Sequence, residues 1–277
     1  MRVTAGMRDL RSFYVRANTC VACHQTLDSD IIKAGHPELT FELDGQSVPE
    51  PKHWRDDDPS SALRAWLVGQ AVALREMSWA LSKNETPDAE ATAKWKGLAW
   101  VLAKATAQQT NLPVIDYPSG ITSGAVFTGV QEQADLLARR AAEFRLSDDF
   151  AQQLLRTLAE TDPEFVISKE TSPDLLFRRA QRLVLALDRL SDVVNSQAPD
   201  AAKNSALNQL FEDLRSRSDF QLPRFIEHLR SFRRQLNHPY DRRRGKSYQL
   251  STSVKWLLTL LSARVTPALI RFQQSWS

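Results

Sequence analysis

Cysteine is scarce in this chain, two in 277 residues, which excludes the disulfide framework that staples small secreted domains. Nine glycines and the lack of sustained β-branched alternation weigh against a sheet-rich fold. Long apolar runs are missing too. The nearest approach, 254–272, is interrupted by Lys255, Arg264 and Pro267, and its apolar residues recur at helical spacing. It therefore reads as a packed amphipathic helix, and no transmembrane span is expected. A net charge of +3 is too small to point to nucleic acid. The opening MRVTAGMRDLRSFYVR has no apolar stretch before its charges resume, so no secretory signal is visible in it. What remains, 42% hydrophobic and 25% charged residues, is the composition of a soluble globular chain of one large or two modest domains.

Both cysteines fall in one stretch, Cys20-Val-Ala-Cys23-His24, and one of only five histidines follows directly. C-x-x-C-H is the attachment signature of c-type haem, in which two thiols add to the two vinyl groups and the adjacent imidazole ligates iron. One covalently attached haem c is therefore expected, on Cys20, Cys23 and His24. Other chemistries compete for the same residues. A redox dithiol would expect a thioredoxin-like βαβ pattern, which is not visible here. A structural zinc site needs four ligands, and His36, His53, His228 and His238 supply the rest only at loose spacing. A buried disulfide leaves His24 unexplained. Because haem c is attached outside the cytoplasmic membrane, the expected location is periplasmic or otherwise extracytoplasmic, with any signal removed or lying outside this chain.

The sixth position on iron decides between electron transfer and ligand binding. His36, in Ala34-Gly-His-Pro37, is the natural occupant, twelve residues after His24. Pro37 biases it to extended geometry, and Gly35 permits an unusual backbone before it. Twelve residues can span roughly 40 Å, enough to wrap a haem edge. His53, in Pro51-Lys-His-Trp54, is the competitor, and Met7 and Met77 are the sulfur candidates. The expected metal ligands are thus His24 and His36.

Organisation follows from punctuation. The first 55 or so residues carry Gly35, Pro37, Gly45, Pro49 and Pro51 and read as loop-rich. A short alternating run, LTFEL at 39–43, could lay an apolar edge against the haem. Asp58-Pro59, Thr86-Pro87 and Ser172-Pro173 look like helix starts. Stripes at Leu63, Leu67, Ala71, Leu74 and Leu81, at Trp95, Leu98 and Leu102, at Leu176, Ala180, Leu183, Leu187, Leu190 and Val194, and at Leu222, Phe225, Leu229, Phe232 and Leu236 have helical spacing. Prolines and glycines at 111–130 suggest a long loop. The expected fold is mainly α: a loop-rich haem-binding segment followed by a helical bundle. The expected division is 1–112, haem-binding with two helices, and 130–277, the bundle. His228 lies off its helix's apolar stripe and is expected to face solvent. Charge is uneven: nine acids against three bases between 28 and 58, and eight bases against two acids between 224 and 246. Such runs are usually solvated faces, with partner docking as the alternative.

CVACH followed by AGHPELTFEL, PKHW and WLVGQAVALRE resembles the multihaem cytochrome c family related to the tetrahaem nitrification cytochromes, over roughly 14–102. The resemblance implies a bis-histidine electron-transfer haem, with His24 proximal and His36 distal. Family members usually carry further C-x-x-C-H motifs, whereas no cysteine follows Cys23 here, so one haem is the limit. The expected activity is single-electron transfer rather than enzymatic catalysis, with a redox partner protein. The rival expectation is a haem-containing structural or docking subunit of a larger assembly, or a homo-oligomer.

Overall fold

The computed structural model describes residues 6–25, 29–36, 39–44, 56, 61–118, 123–194 and 201–237. Their helices are α1 (Phe13–His24), α2 (Ser29–Lys33), α3 (Ser61–Ser82), α4 (Ala89–Ala107), α5 (Gly124–Glu143), α6 (Asp148–Ala159), α7 (Pro173–Val194), α8 (Ala201–Asp213) and α9 (Leu222–Asn237). No strand occurs among the described residues. The molecule is a mainly α helical bundle, as expected.

Most helices start where a side chain satisfies otherwise unbonded first-turn amides. Ser12 accepts from Val15 N, Ser147 from Phe150 N, and Ser172, with Pro173 behind it, from Leu175 N. The second expected start shifts. Asp88, not Thr86, caps α4 by accepting from Ala91 N at 2.7 Å. The break at 111–130 is also shorter than its prolines and glycines suggest. Ser123 caps α5, so Gly124 and Gly129 lie inside a helix, and Leu112 and Ile115 are buried. The expected 254–272 helix lies outside the described residues.

Helix α3 is the axis. Fourteen of its 22 residues are buried, which marks a helix covered on most sides rather than along one stripe. Helix α5 packs along it, antiparallel, since Gly124 approaches Ser82 O and Asp135 pairs with Arg75. Helix α1 lies on the same partner, α4 packs on α3 and α7, and α6, α8 and α9 complete the body against α7 and one another. One hydrophobic cluster runs from Phe13 to Phe232, so the haem-motif segment and the later helices share a core. Every residue of the predicted stripes on α3 and α4 is buried, and so are those on α7 and α9 apart from Val194, Leu222 and Leu236 at the stripe ends, which pack partly buried against the core.

The LTFEL run is not a strand. Phe41 and Leu43 are buried in the protein core, and Leu43 lies so close to Gly69 of α3 that a Cβ there would come within 2.7 Å of the leucine Cβ. Glu42 and Asp44 turn to Arg189 of α7, whose guanidinium meets Glu42 Oε2 at 3.3 Å, Asp44 Oδ2 at 3.1 Å and Asp188 Oδ2 at 3.3 Å. All four side chains are no more than 10% exposed. Burial works against the Arg189 charge, and the carboxylates more than reverse that, holding it above its ordinary range. One guanidinium cannot serve every acid equally. Burial pushes Asp188 up to about 7, against the pull of Arg189 and with Asp192 and Glu42 adding to the rise.

Two arginines of the basic run, themselves at the surface, pair with a buried acid. Arg230 Nε and Arg233 Nη1 donate to Asp162 at 2.8 and 2.6 Å, and that carboxylate is 4% exposed. These arginines tie α9 to the turn after α6, where the sequence suggested a repelling, solvated face. Residues 242–246 lie outside the described residues.

Asp188 generates a pH prediction. Its folded pKa lies above its unfolded value, so folding takes up a proton between about 3.8 and 7 and this group's contribution to stability falls as pH rises through that window. Asp188→Asn should therefore be more stable than wild type at pH 8 by about 1–3 kcal/mol and nearly equal to it only below about pH 3.8. Urea titrations at both pH values check this; a variant less stable at pH 8 would mean that pairing with Arg189 outweighs burial.

Candidate functional site

The CVACH stretch is helical, contrary to the loop expected of the first 55 residues. It forms the last turns of α1, whose buried residues Phe13, Ala17 and Val21 follow Ser12 at spacings of four. That capping serine and stripe were the signal available in the sequence. Helical geometry sorts the motif. Cys20 and His24 are four apart and Cys23 is three from Cys20, so the three side chains share one side of the helix. Both thiols are free; Cys20 is half-buried against the core, Cys23 is exposed, and His24 is half-buried.

Arg16 sits one turn before Cys20 on the same side. It is 4% exposed and donates through both Nη atoms to Asp56 at 2.8 and 2.9 Å, and through Nε to Leu10 O at 2.8 Å. This fork brings the chain at position 56 back onto the motif helix. Burial pushes the Cys20 thiol above its ordinary pKa, while the Arg16 charge pulls the other way and Cys23 adds to the rise.

The opposite flank of α1 is fixed by Arg75 of α3. Its Nη2 donates to Asn18 Oδ1 at 2.5 Å and its Nη1 to Asp135 Oδ1 of α5 at 2.8 Å. Tyr14 OH donates to the same Asp135 oxygen at 2.7 Å, and Arg139 to Oδ2 at 2.8 Å. The guanidinium is 14% exposed. Burial works against its charge, and Asp135 and Glu76 hold it above the ordinary range. The network thus spans three helices and fixes α1 against α3 and α5.

His36 lies just past α2. Gly35 has φ +101°, the left-handed conformation expected of it, and His36 N donates to Ile31 O at 3.2 Å. The imidazole is exposed. Among the described residues, no three His, Cys, Asp or Glu side chains converge as a metal cluster. His53 lies outside the described residues. Met77, a sulfur candidate, packs partly buried against the core. Met7 is 58% exposed.

The residues present fit the attachment of a porphyrin. Two free thiols one turn apart, with an imidazole beside them, are the donor set that c-type attachment requires. Exposed apolar side chains flank them in the chain, Met7 before α1 and Ile31 on α2. Arg8, next to Met7, donates to Thr19 Oγ1 at 3.2 Å, which places that segment beside the motif. Sequence reasoning missed Arg16, Asp56 and Arg75, because nothing local pairs residues 40 to 60 positions apart. Among the described residues, no helix is long and apolar enough to cross a membrane. No protein-family model, curated protein or solved structure matches this chain.

Arg16→Gln should raise the pKa of Cys20, because it removes the one charge that opposes burial. Alkylation of Cys20 in the haem-free chain, followed against pH by peptide mass spectrometry, should shift to higher pH than in wild type. An unchanged profile would contradict this role for Arg16.

Proposed function

We propose that this chain is a monohaem c-type cytochrome working in single-electron transfer. The observation that carries the reading is the placement of Cys20, Cys23 and His24 on one side of the last turns of α1, with both thiols free. In this reading Cys20 and Cys23 anchor one haem c through thioethers, and His24 is the proximal ligand. His36 is the second ligand, with the backbone freedom of Gly35 just before it. A bound haem would supply a one-electron couple, and a two-imidazole site lies at the lower-potential end of the haem range. The chain's own contribution is positional. Arg75 and Asp135 fix the helix that bears the anchors, and Arg16 with Asp56 returns the following segment to it. The setting would be extracytoplasmic, and the partner a redox protein.

The helical body favours a second reading. Helices α3 to α9 supply most of the core and carry no part of the motif, as a docking subunit of a larger electron-transfer assembly would require. Sedimentation of the purified chain alone and in extracts separates a free carrier from such a subunit.

The ligand assignment is tested on the ferrous protein with carbon monoxide. Wild type should resist it, His36→Ala should bind it, and His53→Ala should behave as wild type. An open His53 variant beside a closed His36 variant would move the second ligand to His53, and rapid binding to wild type would replace electron transfer with a ligand-binding function.

A further inference from the structure

A second polar site lies far along the chain from the haem motif. Helices α8 and α9 pack together, joined by a short connection. Their buried seam is apolar: Leu207 and Leu210 on one side, Phe225 and Leu229 on the other. Beside that seam, Ser205, Asn208, Gln209, Glu212 and Asp213 recur at spacings of three and four and so form one polar stripe on α8. On α9, Arg224 and His228 are four apart. These residues line a shallow cleft that is largely open to solvent.

Asp213 organises it. The carboxylate is 2% exposed and takes Arg224 Nε on Oδ1 and His228 Nδ1 on Oδ2, each at 2.6 Å. A carboxylate held on Nδ1 makes that nitrogen the donor, so Nε2 is the one left over. The two Nη groups of Arg224 are left over likewise. Among the described residues, neither they nor Nε2 has a partner, and the side chains of Ser205, Asn208 and Gln209 have none either. The other acid, Glu212, is paired with Arg215 at 3.5 Å. Arg224 and His228 are thus held by a buried acid, while Ser205, Asn208 and Gln209 are exposed along the neighbouring face of α8.

We infer that the α8–α9 cleft is a phosphate-binding site, with Arg224 and His228 as its anchors and Asp213 as their positioning residue. A guanidinium fork matches two phosphate oxygens. His228 Nε2 can accept from P–OH or, when protonated, donate to P–O. The amides of Asn208 and Gln209 and the Ser205 hydroxyl can serve the remaining oxygens or the hydroxyls of an attached group. The phosphate can come free or as a small monoester, since the open cleft leaves room for an attached group.

Calorimetric titration of the full chain with inorganic phosphate, glycerol phosphate and sulfate tests the site. Wild type should bind at least one of the phosphates saturably and more tightly than sulfate, which has no ionisable hydroxyl at neutral pH. Tighter binding of the ester assigns a phosphorylated small molecule; equal binding assigns free phosphate. Arg224→Gln should weaken binding by about tenfold or more. Because that change also strips a partner from buried Asp213, Asn208→Leu with Gln209→Leu provides a variant that leaves both ion pairs intact and should weaken binding too. No saturable heat with wild type, sulfate bound as well as phosphate, or full affinity in both variants would overturn the assignment.

Discussion

Arg75 stands where α1, α3 and α5 meet, and the position of the haem-motif helix depends on it. Its guanidinium joins Asn18 of α1 to Asp135 of α5, while Tyr14 of α1 reaches the same carboxylate. Asp135 is thus shared by two arginines and a phenol. A network of this kind specifies a geometry more than it adds stability, because each desolvated charge offsets much of what its partner returns. What it specifies here is the seat of a helix that ends in two thiols and an imidazole.

The same device recurs along the first part of the chain. Arg16 takes Asp56, and Arg189 takes Glu42 and Asp44. The acidic stretch between 28 and 58 is therefore not simply a solvated face, since those three acids turn inward to arginines of α1 and α7. Apolar anchorage in this region comes from Phe41 and Leu43, with Gly69 leaving room for the latter. Among its described residues, these two buried side chains and the directed ion pairs hold the segment in register against α1, α3 and α7.

Much of this was legible in the sequence. The stripes of α3, α4 and α7 have the 3.6-residue period and, apart from partly buried Val194, turned out buried, and Ser172 caps as its spacing suggested. Thr86-Pro87 misled because Asp88, two residues on, is the better acceptor for a free amide. The glycines at 124 and 129 suggested a loop, but apolar contacts of Phe127 and Val130 hold them in α5. At the site, the types and spacing of Cys20, Cys23 and His24 were readable, and their helical setting was not, because a short amphipathic helix capped by Ser12 is hidden beside a conspicuous motif. Arg16–Asp56 and Asp213–His228 could not be read at all. His228 was expected to face solvent and instead leans on a buried acid, a pairing that only the packing of α8 on α9 creates.

The central claim is that this polypeptide holds its haem covalently, and the intact mass of the chain tests it most directly. Produced in an oxidising compartment with a haem-attachment apparatus and then denatured, the protein should weigh one haem more than its polypeptide, and neither Cys20 nor Cys23 should react with an alkylating reagent. A chain of polypeptide mass, carrying two alkylatable thiols or releasing zinc on denaturation, would contradict the account.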